Sequence, residues 1–140
     1  MRLGIRKPKQ TDSAAEGSSE PVAARRLKEL CGEDADLYGA LSRLMFLDPK
    51  KITSEIDQVI SEAMKFETEG NKLRAEVGYR IAGGISLSRG DPNNVRTYFE
   101  KAALLAGDSK PEYQILVKRS NEAVNIARKF YDEFGSLNLS

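Results

Sequence analysis

Five glycines divide the chain into segments that each have the periodicity of an α-helix. Each follows a stretch in which apolar residues recur every three or four positions, and they are Gly32, Gly70, Gly90, Gly107 and Gly135. A glycine in the left-handed conformation commonly ends a helix, because it has no Cβ to clash with the backbone. The spacing therefore predicts an all-α fold without strands, an antiparallel helical-hairpin stack or bundle of about five to six helices.

Helix-start signals match these stops. Ser19 precedes Glu20 and Pro21, while Asp48 and Asp91 each precede a proline, as residues that cap a first helical turn do. The segment over residues 109–112 has the spacing of a capping box. Together the signals predict helices over residues 20–31, 35–47, 50–69, 71–89, 92–106 and 110–134. We expect a flexible N-terminal tail over residues 1–19, a single α-helical domain over 20–134 and a C-terminal tail over 135–140.

The composition excludes several kinds of site. The chain of 140 residues has no histidine and only one cysteine, so histidine triads, multi-cysteine metal sites and an internal disulfide are excluded. That cysteine, Cys31, is interpreted as a small apolar residue near a helix end. Carboxylates on the predicted third helix fall on its polar face, and they are Glu55, Asp57, Glu62, Glu67 and Glu69. We therefore expect a protein that is not an enzyme, with no catalytic residue, metal site or cofactor.

The net charge and hydropathy of the chain indicate neither a particular partner nor a membrane environment. Lys and Arg number 22 against 21 Asp and Glu, so the net charge of +1 does not attract a particular partner over long range. Apolar runs such as residues 44–47 fall far below the roughly 18 residues of a membrane helix. The basic N-terminus has no apolar stretch behind it, so it is not a secretory signal. We expect a cytoplasmic protein without a membrane span.

The predicted helix over residues 71–89 is apolar on two neighbouring faces. One stripe is formed by Leu73, Val77, Ile81 and Ile85, and the second by Ala75, Tyr79 and Ala82. Gly78, Gly83 and Gly84 lie between them and would each cost about 1 kcal/mol relative to alanine in an exposed helix. We therefore expect this helix to be packed on two sides, with other helices approaching closely at its glycines.

Two segments resemble tetratricopeptide repeats. After Gly90 the repeat-type positions hold Val95, Phe99 and Ala102, a small residue, an aromatic and an alanine on one helical face. After Gly70 the same offsets hold Ala75, Tyr79 and Ala82, and a weaker match follows Gly32. The turn glycines are not spaced by the 34 residues of that family. The resemblance implies a tetratricopeptide-like stack over residues 20–134 with an irregular register.

Residues 71–134 also resemble a microtubule-interacting-and-transport domain. The resemblance depends on Gly90 and Asp91, on the run over residues 98–102, and on a last helix that contains Ala127 and Tyr131. That family is a three-helix bundle which binds short helical tails of membrane-remodelling filament proteins. The resemblance implies a groove between helices that binds a helical peptide.

Helical stacks of this kind usually present a groove to another protein or peptide. The function predicted first is therefore a protein-protein interaction module or adaptor. The repeat register assigns the partner-binding positions to Met64, Arg80, Leu87, Gln114, Lys118 and Asn121. Arg80 and Lys118 would then hold a carboxylate of the partner. The alternative for these two cations is a solvated helix surface, on which Arg80 pairs with Glu76 one turn earlier.

A second hypothesis is a helical protein that binds nucleic acid. Residues 71–110 hold seven basic and four acidic side chains. Five of the basic residues are Lys72, Arg74, Arg80, Arg89 and Arg96, which would contact several phosphates if they shared a face. The basic residues of the N-terminal tail would also reach phosphates, but no aromatic residue lies among them for base stacking.

Overall fold

The computed structural model describes residues 22–139, which form seven α-helices and two 3-10 turns. The helices are α1 (Val22–Cys31), α2 (Ala35–Leu44), α3 (Ile56–Thr68), α4 (Lys72–Arg89), α5 (Pro92–Ala106), α6 (Pro111–Lys118) and α7 (Ser120–Leu139). The 3-10 turns are Pro49–Lys51 and Gly107–Ser109. The described residues contain no strand, so the all-α prediction is confirmed, whereas the predicted count of five to six helices is wrong. The tail predicted over residues 1–19 lies outside the described residues.

The count differs because the helix predicted over residues 110–134 breaks at Arg119. Arg119 has φ −119° and ψ 37°, outside the helical region. Its guanidinium donates hydrogen bonds to Asp34, the N-cap of α2, and to Glu122. The next residue, Ser120, is buried, and its hydroxyl accepts a hydrogen bond from Arg96 at 3.0 Å. These contacts with other elements hold the break in place.

Most helix ends follow the local signals. Positive φ angles between 64° and 80° occur at four of the predicted stops, which are Gly32, Gly70, Gly90 and Gly107. Asp91 caps α5 as predicted, because its carboxylate accepts from the Asn94 amide at 3.1 Å. Ser109 does not cap α6, since its hydroxyl donates to the carbonyl of Ala106. Gly135 does not end α7, because a glycine can also adopt the helical conformation.

The connection between α2 and α3 is longer than predicted. Met45 is extended, with φ −94° and ψ 154°, and this ends α2 three residues before the predicted boundary. Asp48 caps a 3-10 turn rather than a helix, because its carboxylate accepts from the Lys50 amide at 3.0 Å. The third helix therefore starts at Ile56 instead of residue 50.

The central helix of the molecule is α4. It packs between α3 and α5 and also contacts α2 and α7. α6 packs against α5 and α2, while α1 packs against α2 and α7. The N-terminal hairpin thus meets the C-terminal helices, and the helices form a closed bundle. In a linear repeat array each hairpin contacts only its neighbours, and this bundle differs from such an array. The tetratricopeptide resemblance therefore stays a prediction, and it concerns the individual hairpins only.

Another helix approaches closely at two of the glycines inside α4, Gly78 and Gly83, as predicted, whereas the segment after α2 approaches at Gly84. A Cβ built on Gly83 would lie 2.6 Å from Cζ of Phe99 in α5. A Cβ built on Gly84 would lie 2.9 Å from Cε2 of Phe46, in the segment after α2. Phe99 is fully buried, and its ring stacks on that of Tyr113 with 6.0 Å between centroids. Glycine is therefore required at both positions to let these rings reach the axis of α4.

Candidate functional site

One stripe of α4 is buried at one end and open at the other. Ile85 is fully buried, whereas Val77 and Ile81 are half-buried and Leu73 is 67% exposed. The prediction that α4 packs on two sides is confirmed for α3 and α5. Among the described residues, no helix covers the N-terminal half of this stripe.

A groove runs between α3 and α4 over this open stripe. Its volume is about 360 Å³. The α4 wall consists of Leu73, Val77 and Ile81, and the α3 wall of Val59 and Phe66. We call this surface the α3–α4 groove, and it is mainly apolar.

The groove exists because the two helices touch through their smallest residues. A Cβ built on Gly78 would lie 2.8 Å from Cβ of Ala63 and 3.4 Å from its Cα. This close crossing forms the floor, and the longer side chains of Val77 and Phe66 rise on either side of it. The sequence encodes the floor by placing a glycine of α4 opposite an alanine of α3.

Charge is distributed unevenly around the groove. Glu62 of α3 lines it, and Glu55 and Glu69 lie seven residues before and after Glu62, at the two ends of the helix. Positions seven apart fall near the same side of an α-helix, so Glu55 and Glu69, which flank α3, are placed on the side of Glu62, and we call these three exposed carboxylates the acidic rim. None of them forms an ion pair with another described residue.

One cation, Arg74, lines the groove. Its guanidinium carbon lies 5.6 Å from the centroid of the Phe66 ring, in cation–π contact. The aliphatic stem of Arg74 therefore adds apolar surface to the wall. The groove continues past Ile81 into a second hollow of about 210 Å³, bordered by Phe46 and Ile52.

The predicted partner-binding residues are not brought into one groove. Arg80 is half-buried and lines a separate hollow with Arg43 and Phe46. Met64 is 56% exposed on α3, and three more exposed residues lie on α6 and at the start of α7, namely Gln114, Lys118 and Asn121. None of these four lines the hollow of Arg80. The assignment of Leu87 to a binding surface is wrong, because it is 0% exposed and belongs to the core.

The alternative interpretation of Arg80 required an ion pair with Glu76, and Glu76 forms its contacts with other residues instead. The Glu76 carboxylate is buried and accepts hydrogen bonds from Lys110 Nζ at 2.6 Å and from the Tyr113 hydroxyl at 2.8 Å. Burial, together with donation to this carboxylate, raises the pKa of Tyr113 well above its usual value. This cluster joins α4 to the start of α6, and none of its three residues lines the α3–α4 groove.

The cations of the nucleic-acid hypothesis point in different directions. At about 100° per residue, positions 72, 74, 80 and 89 are spread around α4 instead of sharing a face. Arg96 is engaged within the fold, since it donates to Asn93 and Ser120.

The thiol of Cys31 is buried, and burial followed by the charge of Asp34 raises its pKa to about 11.

Sequence reasoning missed the groove, although it had identified the apolar stripe of α4 that forms one wall. The stripe that begins at Leu73 was expected to be packed, yet periodicity alone does not tell which part of a stripe is covered. A better signal was the combination of Gly78 with Ala63, which marks a close helix crossing. The recurrence of glutamates at Glu55, Glu62 and Glu69 beside it was a second signal.

Comparison with known proteins finds no match to a protein-family model, to a curated protein or to a solved structure. Among the described helices, none has both the length and the apolar character that crossing a membrane requires. Residues 22–139 also contain no group of three or more metal-ligating side chains placed to hold a metal ion. The function of the chain is therefore inferred from its own residues.

Proposed function

We propose that the chain is a non-enzymatic protein-protein interaction module that binds one helix of a partner protein in the α3–α4 groove. The observation that carries the proposal is the open half of the α4 stripe, where Leu73 is 67% exposed beside the half-buried Val77 and Ile81. Exposed apolar surface that forms a continuous concave patch marks an interaction site far more often than single exposed residues do.

The shape of the groove fits a helix. A helix that binds in a groove uses apolar residues at positions i, i+3 or i+4, and i+7 as anchors. From Leu73 to Ile81 the wall of α4 extends about 12 Å, the length over which such anchors fall. The volume of about 360 Å³ is enough to enclose a few of these side chains.

The hairpin behind the groove supports a tetratricopeptide-like scaffold. Val95, Phe99 and Ala102 hold the repeat-type positions of α5, and all three are fully buried. The resemblance to the microtubule-interacting-and-transport domain implies the same mode of binding, a helix held between helices.

The test is selection from a display library of amphipathic helices, followed by mapping of the bound peptide with methyl NMR. Selected peptides are expected to shift the methyl resonances of Val59, Val77 and Ile81. Leu73→Glu is expected to weaken binding by at least about tenfold, because it places a charge on an anchor position. A library that yields no binder, or binders whose shifts lie away from α3 and α4, would overturn the proposal.

The matched control is Leu104→Glu. Leu104 is 80% exposed on α5 and does not line the α3–α4 groove. This variant introduces the same charge at a similarly exposed leucine, so it is expected to bind the selected peptides within about twofold of the original chain. Equal losses in the two variants would show that the added charge acts without regard to the groove, which would contradict the proposal.

A further inference from the structure

We infer that the helix bound in the α3–α4 groove is basic along one flank, with Lys or Arg facing α3 and apolar residues facing α4. This inference rests on the proposed function and names the chemistry of the partner. Its basis is the asymmetry of the groove, which has an acidic rim on one side and an apolar wall on the other.

The acidic rim has the geometry to recognise a helix that lies along α3. Glu55, Glu62 and Glu69 follow one another at intervals of about 10 Å, close to two helical turns. A partner helix with a cation every seventh residue would place one opposite each carboxylate. Because none of the three forms an ion pair with a described residue, they are available to such a partner.

The neighbourhood of the rim keeps its negative charge. Residues 55–69 hold five carboxylates and one lysine, Lys65, which forms no ion pair with them. Glu67 is turned away, since it accepts a hydrogen bond from the Tyr79 hydroxyl at 2.7 Å. The cation inside the groove, Arg74, is placed against Phe66 on the wall. With five carboxylates against the two cations Lys65 and Arg74, this side of the groove stays net negative, which favours a basic partner over an acidic one.

The opposite wall selects for apolar residues. Leu73, Val77 and Ile81 form it, no carboxylate lines that side, and the guanidinium of the α4 residue Arg74 lies over Phe66 on the α3 wall. A helix with leucines in one stripe and lysines on the adjacent flank satisfies both sides together. The apolar anchors would supply most of the affinity, while the exposed charges would select the partner and accelerate its association.

The test uses synthetic amphipathic helices of about 18 residues, long enough to span the rim. The peptides share one leucine stripe and carry either lysine or glutamate on the flank, and binding to the full chain is measured by fluorescence anisotropy. The lysine peptide is expected to bind on the order of tenfold more tightly at low salt. The preference is expected to shrink as salt rises, because these charges are exposed.

The rim is tested by the triple variant Glu55→Lys, Glu62→Lys and Glu69→Lys, which is expected to reverse the preference. If that variant does not fold, the triple change to Gln is expected to remove the preference. The control reverses three exposed acids elsewhere, with Glu33→Lys, Glu100→Lys and Asp108→Lys, and so has the same net charge. The control is expected to keep the preference for lysine, and a control that loses it would overturn the inference.

The remaining outcomes separate the inference from the proposed function. If both peptides bind equally, and Leu73→Glu weakens both, the groove binds helices but its charge preference is refuted. If neither peptide binds, the inference and the proposed function are both overturned. A dimer in sedimentation that Leu73→Glu dissociates would also overturn the inference, because a second copy of this chain would then occupy the groove.

Discussion

The ring of Phe99 occupies the space that a side chain on Gly83 would need, with 2.6 Å between Cζ of the ring and the position of that Cβ. The contact joins α5 to α4 at the centre of the bundle. It also explains why a glycine is present in the middle of an 18-residue helix, where it would otherwise reduce stability. The two residues are therefore expected to respond strongly to substitution.

Phe99→Ala is expected to lower the free energy of unfolding by about 3–5 kcal/mol, because it leaves a cavity in the core. Gly83→Ala is expected to lower it by about 1–3 kcal/mol through overpacking against the ring. Urea denaturation followed by circular dichroism measures both. Gly39→Ala is the control, since nothing lies within 4 Å of a Cβ built there, and it is expected to be neutral or to stabilise by up to about 1 kcal/mol. A loss below about 1 kcal/mol in Phe99→Ala would contradict the packing described for α4 and α5.

Tyr113→Phe is expected to lower the free energy of unfolding by about 1–3 kcal/mol. The change removes the hydroxyl that donates to the buried Glu76 carboxylate and leaves Lys110 as its partner. Tyr38→Phe is the control, because the hydroxyl of the half-buried Tyr38 makes no hydrogen bond with a described residue. Thermal denaturation of the two variants compares them directly. Equal effects would show that the bond to Glu76 contributes nothing specific.

The pH dependence of stability is expected to include the contact between Asp34 and Arg119. The hydrogen bond from Arg119, and then that from the Leu37 amide, lower the pKa of Asp34 in the folded state. A carboxyl whose pKa is lower in the folded than in the unfolded state stabilises the fold at pH values above its unfolded pKa of about 3.9. That contribution is lost as the pH falls through the folded pKa.

Asp34→Asn keeps an acceptor for the helix cap but removes the charge. The variant is expected to melt at a lower temperature than the original chain near neutral pH, and the difference is expected to shrink below about pH 4. Melting temperatures measured from pH 7 to pH 3 test this, with Asp108→Asn as a control at an exposed acid that forms no ion pair with a described residue. A difference that stays constant over the range would exclude the charge as its source.

The thiol of Cys31 is expected to be unreactive in the folded protein. Burial and the nearby charge of Asp34 raise its pKa to about 11, so little thiolate exists at neutral pH. A disulfide reagent that absorbs on reaction is expected to label the thiol at the rate of unfolding, and at once in denaturant. Because Cys31 is the only cysteine, the reagent is expected to detect one thiol per chain in denaturant. Complete labelling within seconds in the native state would contradict the burial of Cys31.

The features that depend on a few neighbouring residues could be predicted from the sequence. The end of α4 at Gly90 and the cap of α5 by Asp91 are local, because the backbone angle and one side-chain hydrogen bond define them. The packing of Phe99 followed from its position on the inner face of an amphipathic helix. Each of these predictions needed only the period of the helix and the geometry of its ends.

The features that depend on distant residues could not be predicted in this way. The break at Arg119 is held by Asp34, which lies 85 positions earlier in the chain. The burial of Leu87 and the exposure of Leu73 on the same helix depend on which neighbours cover each part of α4, and a helical stripe does not contain that information. The candidate groove was therefore missed even though its α4 wall had been recognised as apolar.

The contact between α1 and α7 places a constraint on how the chain folds during its synthesis. Arg26 Nε lies 2.7 Å from an oxygen of Glu133, a separation of 107 positions along the chain. A solenoid can gain stability one repeat at a time as it leaves the ribosome. This bundle cannot, because α1 packs against α7 as well as α2, so part of its apolar face stays uncovered until the residues of α7 have emerged.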